Sequence, residues 1–472
     1  MLKLQDTSRS NISMRLPDGP QTPPVVQTIQ WLGRTVELMD TCAQRYGETF
    51  TLRLINSKPV VFFSNPQAIR QIFTADPKKF QIGKGNEALR SFLGATSVVV
   101  VDGNRHQRQR QLLMPQFHGE RMRAYGELMC SHAEEVASQW VLGQPFSPHF
   151  STQEMSMGVI LQAVFGLYEG ERFEKLKQLL TSVLAIGDTA LGNILVFSPL
   201  VQWDLGPWSP WGRFLHEMRQ IDEILYAEMR ERRAKPDPSR IDIFNMLLSA
   251  RDEDGQLMTD VEVRDELITL LIAGHETTAI SLAWALYCIH SVPEVQRKLQ
   301  EELDTLGDNP DPSQIIKLPY LTAVCQETLR LYPVLMVTFP RIVESPIEIM
   351  GNQFEPGTIL YPCVYLAHRN EDIYPQPTTF RPERFLERQF TPYEYFPFGG
   401  ANRRCIGMAF AQFEMKLVLA TILSRLELKL VDNCRIKPVR RLIGIMPSAG
   451  KWLVATSQRH LKKSKINPAV SQ

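Results

Sequence analysis

FGGANRRCIG, residues 398–407, sets a single cysteine, Cys405, among closely spaced glycines and arginines. Phe398 opens the stretch, Gly399 and Gly400 follow it, Arg403 stands two before the cysteine and Gly407 two after. An apolar run with helical spacing then begins at Met408, Phe410, Ala411, Phe413, Met415, Leu417, Val418 and Leu419, so the pattern predicts a tight loop feeding a helix. A thiol placed there faces free backbone N–H groups and the positive end of the helix, both of which favour the thiolate. That seat suits a metal-bound sulfur. A small buried hydrophobe, the ordinary condition of a free cysteine, is the alternative.

Charged residues make up 22% of the chain and apolar ones 44%, with a formal net charge of +1. Nothing in that balance calls for a nucleic-acid partner. With 472 residues there is room for a large core, and no stretch reads as a linker between domains. Seven cysteines are scattered without a C-x-x-C pair, which fits a reducing compartment rather than a disulfide framework. The first residues hold no apolar core long enough for a signal peptide or a membrane span. The expectation is a cytoplasmic protein without a transmembrane anchor.

Residues 1–25 read as an extended lead-in, with Pro17, Pro20, Pro23 and Pro24 barring a helix. A helix is expected over about 26–46, strands at 49–54 and Val60–Phe63, and a helix at 65–74 with Pro66 in its first turn. The glycines at 83 and 85 lack both a preceding buried strand and a later acidic residue, so they make no dinucleotide loop. Residues 120–250 are helical in pattern except for 198–212, SPLVQWDLGPWSPWG. Its Trp203, Trp208 and Trp211 either touch a membrane surface or a greasy substrate, or pack onto the protein's own helices. Further strands are expected at Ile347–Ile349, 358–361 and 452–455, a turn at Gly444–Pro447, and a basic, solvated or disordered tail over 458–472.

The longest helical pattern, 260–292, carries Ala273-Gly274-His275-Glu276-Thr277-Thr278. Glycine inside a helix costs about 1 kcal/mol against alanine, and threonines are poor helix formers, so the cluster needs a reason. Gly274 lets a flat ligand approach the backbone, and the Thr277 hydroxyl can bond the Ala273 carbonyl four residues back, loosening the helix. A kinked core helix is the plain alternative. His275 and Glu276 make no zinc-protease motif, because position 279 is Ala where a second His is required. Within the helix expected over 319–332, Glu327 and Arg330 share a face and can pair. His106 and Arg110 also share a face, in a cluster with Arg105 and Arg108 that equally suits a solvated surface.

Together these stretches resemble the cytochrome P450 family. Phe398, Arg403, Cys405 and Gly407 match its haem-ligand signature F-x-x-G-x-R-x-C-x-G, with Ala401 at the position of a signature glycine. Residues 273–278 match A/G-G-x-D/E-T-T. Glu327-x-x-Arg330 and the later Pro382-Glu383-Arg384-Phe385 fall in the family's order, and the resemblance spans roughly residues 30–457.

The resemblance implies a mainly α fold with a smaller β region, α+β in class and a triangular prism in outline, as a single domain over 26–457. It implies haem b between the long helix and the helix after the cysteine loop, with Cys405 on the iron. His106, Arg110, Arg341 and Arg403 are the implied propionate residues, and Ala273, Gly274, Phe398 and Gly407 the other cofactor contacts. Glu276 and Thr277 are the implied proton-handling pair, and Glu327, Arg330 and Arg384 an implied structural network. Candidate walls of the substrate pocket are Phe92, Leu93, Val98, Val99, Leu335, Met336, Val337, Phe339 and Met446.

The activity this implies is a monooxygenase that uses O2 to hydroxylate a lipophilic molecule. A soluble, bacterial-type member suggests a long-chain fatty acid, an alkane or a terpenoid. Electrons are expected from NAD(P)H through a ferredoxin or flavodoxin and its reductase, because the chain ends too soon after Cys405 for a fused flavin domain. Arg404 and Lys416 are candidates to steer that acidic partner. A monomer is expected, with any peripheral membrane contact left to the tryptophan-rich loop. The alternatives are a peroxygenase or peroxide isomerase, and a haem sensor or carrier without catalysis. Glu276 and Thr277 occurring together argue against both.

Overall fold

The computed structural model describes residues 16–459 except 118–120, 169, 189–191, 193–194, 197–200, 308–309, 433, 435 and 442–443. Where one helix is expected over 26–46 there are two, α1 (Pro24–Gly33) and α2 (Thr35–Tyr46). Arg34 leaves the helical region, with φ −139°, and separates them. The lead-in also ends sooner than residue 25, because Pro24 occupies the first helical turn, where a missing N–H has no partner to lose. Strands β1 (Thr49–Leu52) and β2 (Val60–Phe63) follow, then α3 (Pro66–Thr74) and β3 (Phe80–Gln81). The Asn65 side chain caps α3 by accepting from the N–H groups of Gln67 and Ala68.

The middle of the chain is mostly helical. It runs through α4 (Gly103–Leu113), α5 (Arg121–Ser138), a short strand β4 (Pro145–Phe146), α6 (Pro148–Ala163) and α7 (Glu171–Ala185). Then come α8 (Pro210–Ala234), α9 (Ile243–Ser249), α10 (Asp260–Ser291), α11 (Pro293–Leu303) and α12 (Pro319–Leu331). The last third brings β5 (Arg341–Val343), β6 (Ile347–Ile349), β7 (Asn352–Phe354) and β8 (Ile359–Pro362), then α13 (Met408–Arg425). It closes with β9 (Leu426–Leu430), β10 (Pro438–Arg441), β11 (Gly444–Pro447) and β12 (Leu453–Gln458).

Strands from both ends of the chain share one sheet, ordered β1-β2-β8-β5-β3, with β8 parallel to β2 and antiparallel to β5. A second sheet is ordered β4-β12-β9. Gly444–Pro447 is a strand and not a turn, paired with β10 so that Val439 faces Met446. The folded unit also extends past residue 457, since Arg459 donates its N–H to Arg425 O at 2.8 Å and pairs with Asp304 at 3.0 Å. The remainder of the expected tail lies outside the described residues.

α10 forms the axis of the helical part. Thr259 and Glu262 close its N-terminus with a reciprocal capping box. Its flanks pack against α6, α12, α13 and β11. By length and apolar composition α10 could cross a membrane, but 67% of its most apolar window is buried inside the fold, which makes it a core helix. Trp284 anchors it, stacked on Tyr332 at 3.7 Å with Nε1–H donating to Ile445 O at 3.0 Å.

Candidate active site

Burial lapses in the middle of α10. Ala273 is exposed and Ile272, Gly274, Glu276 and Thr277 are half-buried, while Val263–Ile268 on one side and Thr278–Leu286 on the other are largely closed. The Thr277 hydroxyl donates to Ala273 O at 2.6 Å. A Cβ on Gly274 would stand 2.8 Å from Ile160 Cδ1, so packing against α6 is a second reason for that glycine.

Cys405 is also open to a solvent-sized sphere, yet burial by surrounding protein is the largest influence on its thiol, pushing it up. The two facts agree if the sulfur opens onto an internal space. The Gly407 N–H and the charges of Arg110 and Arg404 pull the thiol the other way. The loop is shaped for this. Gly399 and Ala401 both have positive φ, 68° and 59°, and a Cβ on Gly400 would meet the Phe73 ring at 2.2 Å. Cys405 N–H donates to Phe398 O at 2.9 Å, closing the turn, and Gly407 is the last residue before α13.

Around this space positive charge is poorly neutralised. Arg341 is fully buried, and its Nη1 donates to Thr338 Oγ1 at 3.0 Å and Phe339 O at 3.3 Å. Burial, and then the charge of Arg403, push it down to about 9. Arg403 donates to Val98 O at 2.9 Å, Val101 O at 2.6 Å and Asp102 Oδ1 at 2.7 Å, and its buried Nε meets no partner among the described residues. Burial leads in pushing it down to about 10. His106 is driven to about 3 by burial and by Arg403 and Arg110, so it stays neutral. Arg110 donates to Arg404 O at 2.7 Å. Asp102 is the carboxylate paired here, and it already accepts from the N–H groups of Ile82, Gly83 and Lys84. Buried guanidiniums displaced this far from their usual range suit an anionic ligand. With an accessible thiol, an open helix face and these cations, the residues present fit a haem and its two carboxylates.

In the sequence Asp102 stands out only as part of an Asp-Gly that opens the helix of His106 and Arg110, with no role at the site. A second unforeseen feature is the strap over 96–98. Thr96 N–H and hydroxyl donate to Asp265 Oδ2 at 2.9 and 2.7 Å, the Ser97 and Thr269 hydroxyls meet at 2.7 Å, and Val98 N–H donates to Glu266 Oε1 at 2.7 Å. Val98 is therefore held between α10 and Arg403. Phe92 packs on Trp211 and Phe214, and Leu93 is buried with it. Trp211 thus packs inside, whereas Trp203 and Trp208 are 67% and 96% exposed. In the extended segment after Pro333, Leu335, Val337 and Phe339 are half-buried, while Met336 is taken up by an apolar cluster with Cys363 and Ile445. Met446 lies in another with Trp284 and Val334, and Val99 is half-buried.

Glu327, Arg330 and Arg384 meet in a buried network. Arg330 Nε and Nη2 donate to Glu327 at 2.6 and 2.8 Å, and Arg384 Nε donates to Glu327 Oε1 at 3.0 Å. Arg330 also donates to the carbonyls of His368 and Pro377, so it ties α12 to the segment before the cysteine loop. Lys416 departs from expectation. Its ammonium donates to Ile316 O at 3.1 Å in a half-buried position, so it is no surface cation, whereas Arg404 is exposed.

Glu276 turns toward α6 and β10. Its Oε2 accepts from Gln153 Nε2 at 2.8 Å, and Oε1 lies 3.3 Å from His149 Nε2 and 3.9 Å from Arg441 Nη1. Burial pushes its carboxyl up, but His149, Gln153 and His275 together outweigh that and hold it below the usual carboxylate range.

A cysteine loop of this form, leading into a helix packed on the one opened at Gly274 and Thr277, is that of a haem-thiolate protein. The chain belongs to the cytochrome P450 family, whose model matches residues 17–454. It is 33% identical over 442 residues to "Putative cytochrome P450 135B1" of Mycobacterium tuberculosis, covering 93% of this chain and 91% of that one. It is equally identical over 455 residues to the 135A1 protein of the same organism, covering 96% and 98%. Among solved structures it resembles a retinoic acid-bound cyanobacterial CYP120A1, with TM-score 0.79 and 23% identity over 95% of this chain and all of that one. It also resembles a cytochrome P450DA heme domain, with TM-score 0.82 and 21% identity over 95% and 98%.

Proposed function

We propose that this P450 monooxygenase hydroxylates a lipophilic small molecule, a long-chain fatty acid, an alkane or a terpenoid, using O2 and electrons from a ferredoxin or flavodoxin. The reading rests chiefly on the accessible Cys405 thiol and the open face of α10 at Ala273, Gly274 and Thr277. A haem bound there supplies the activation of O2. Cys405 supplies the thiolate, and the Gly407 N–H moderates the charge on it. Arg341, Arg403 and Arg110, with neutral His106, would hold the haem's carboxylates. Thr277 keeps its hydroxyl on the open side by bonding back to Ala273 O, where it can hold a proton donor, and Glu276 stands one residue away to renew that proton. Phe92, Leu93, Val98 and Phe339 keep the surroundings apolar and exclude water. The free state of all seven cysteines fits a cytoplasmic site of action.

The test is a spectral titration of the haem-loaded protein with dodecanoic acid, n-dodecane and a monoterpene. One of them should displace haem-bound water and shift the spin state with saturable affinity. Silence from all three would overturn the proposed substrate class.

A further inference from the structure

His149 and Gln153 lie four residues apart along α6 and both meet Glu276 of α10. Glu276 precedes Thr277 by one residue and so points about 100° round the helix from it, into the seam between the two helices. There Gln153 Nε2 donates to Glu276 Oε2 at 2.8 Å, and His275 Nε2 contacts Gln153 O at 3.1 Å, with its Nδ1 3.9 Å from Glu276 Oε2. From β10, Arg441 Nη1 approaches both Glu276 Oε1, at 3.9 Å, and His149 Nε2, at 3.4 Å.

The environment of His149 Nε2 sets two demands that cannot both be met. It lies 3.3 Å from Glu276 Oε1, a buried carboxylate oxygen with no hydrogen-bond partner among the described residues, and 3.4 Å from a guanidinium N–H. To bond Glu276 it must carry a hydrogen, and to accept from Arg441 it must present its lone pair. One nitrogen cannot do both at once, so placing or removing a single proton changes its partner. The other ring nitrogen, Nδ1, is buried and has no partner among the described residues, so nothing there fixes the tautomer. His149 is 5% exposed, whereas the Arg441 and Glu276 side chains are 16% and 25% exposed, so the guanidinium and carboxylate are the more open members of the group.

We propose that His149 is the proton-passing partner of Glu276, with Arg441 as the group that takes over Nε2 after transfer. In the step the ring starts as imidazolium, with a hydrogen on both nitrogens; its Nε2–H bond breaks, an Oε1–H bond forms on Glu276, and the ring is left neutral with its hydrogen on Nδ1. The electron pair stays on nitrogen and accepts the Arg441 N–H, and the neutral Glu276 carboxyl can then turn its proton toward Thr277. The ring is reprotonated from solvent before the next cycle. Glu276, His275 and Arg441 are the ionisable groups facing the imidazole. Gln153 contributes position alone, by holding Oε2 at 2.8 Å while Glu276 is ionised. The role in oxygen chemistry rests on the monooxygenase reading. The switch itself does not.

The test has two arms. In the first, protein labelled with 15N-histidine is followed by NMR. The His149 Nε2 resonance should move in Glu276→Gln, which removes the carboxylate 3.3 Å away, and in Arg441→Gln, which removes the guanidinium 3.4 Å away. A His149 Nε2 resonance unmoved by either change overturns the proposal. The second arm uses haem-loaded His149→Gln, or His149→Asn if Gln fails to fold, driven by NADPH through a surrogate ferredoxin and its reductase. Proton-dependent turnover should fall by roughly 10- to 100-fold, more of the reducing equivalents should leave as hydrogen peroxide, and the pH profile should flatten. An unaltered pH profile overturns the relay. If the NMR coupling holds but the loaded protein consumes no O2, the monooxygenase reading fails and the His149–Glu276 switch stands.

Discussion

Ala401 shows how one residue can depart from a motif without breaking it. It takes φ 59°, the left-handed region that the signature glycine would occupy without cost. Ala401→Gly should therefore raise stability by about 1 kcal/mol, read as a higher denaturant midpoint with an unchanged slope. Glu414 makes a prediction of opposite character. Buried on α13, with neither oxygen partnered among the described residues, its carboxyl is pushed by burial up to about 8 and drawn back slightly by the Ser156 hydroxyl. The folded protein thus holds this proton more tightly than the unfolded chain, whose carboxyl titrates near 4.5. Its contribution to stability is intact at acid pH and is lost as pH rises toward about 8. Glu414→Gln should gain on the wild type across that window, by an amount on the order of a few kcal/mol at its alkaline end, measured by denaturation at several pH values. Parallel curves would refute this. Cys405, Gly274 and Thr277 stand out in the sequence because each breaks a local rule, a lone thiol among glycines or a glycine and threonines inside an apolar helix, whereas Glu276 is picked out by the family resemblance alone. Asp102, His149, Gln153 and Arg441 do not show their roles there, because their partners come from elements far away in sequence.

At the scale of elements, the network of Glu327, Arg330 and Arg384 joins α12 to the segment leading into the cysteine loop. All three side chains are buried, so deleting one leaves charge without a partner. Glu327→Ala should cost about 3 to 5 kcal/mol and yield protein that does not retain haem. Recovery of folded, haem-loaded Glu327→Ala at wild-type stability would show the network to be dispensable. The extent of α10 was readable within a residue, since its apolar pattern is long. The break at Arg34 was not, because Thr35 and Val36 continue the helical pattern beyond it. Nor was β11, since its glycine and proline read as a turn and its strand character comes from pairing with β10.

At the scale of the whole molecule, the sheet β1-β2-β8-β5-β3 gathers strands from opposite ends of the chain, an arrangement that periodicity cannot disclose and that the family resemblance supplied only in outline. The fold leaves Arg404 exposed beside Cys405 and draws Lys416 inward. Arg404→Glu should therefore slow reduction by an acidic ferredoxin at low ionic strength, and the difference should shrink as salt is added. Lys416→Gln should not slow reduction. Equal stopped-flow reduction rates for wild type and Arg404→Glu at low salt would remove this face as the docking site.

The central claim, that Cys405 holds a haem iron beneath the open face of α10, is tested most directly by the carbon monoxide difference spectrum of the dithionite-reduced, haem-loaded protein beside Cys405→Ser. The account predicts the strongly red-shifted Soret band of thiolate ligation in the wild type and its loss in the variant. A folded wild-type protein with the unshifted band of a neutral or imidazole ligand, or with no haem band, would contradict it.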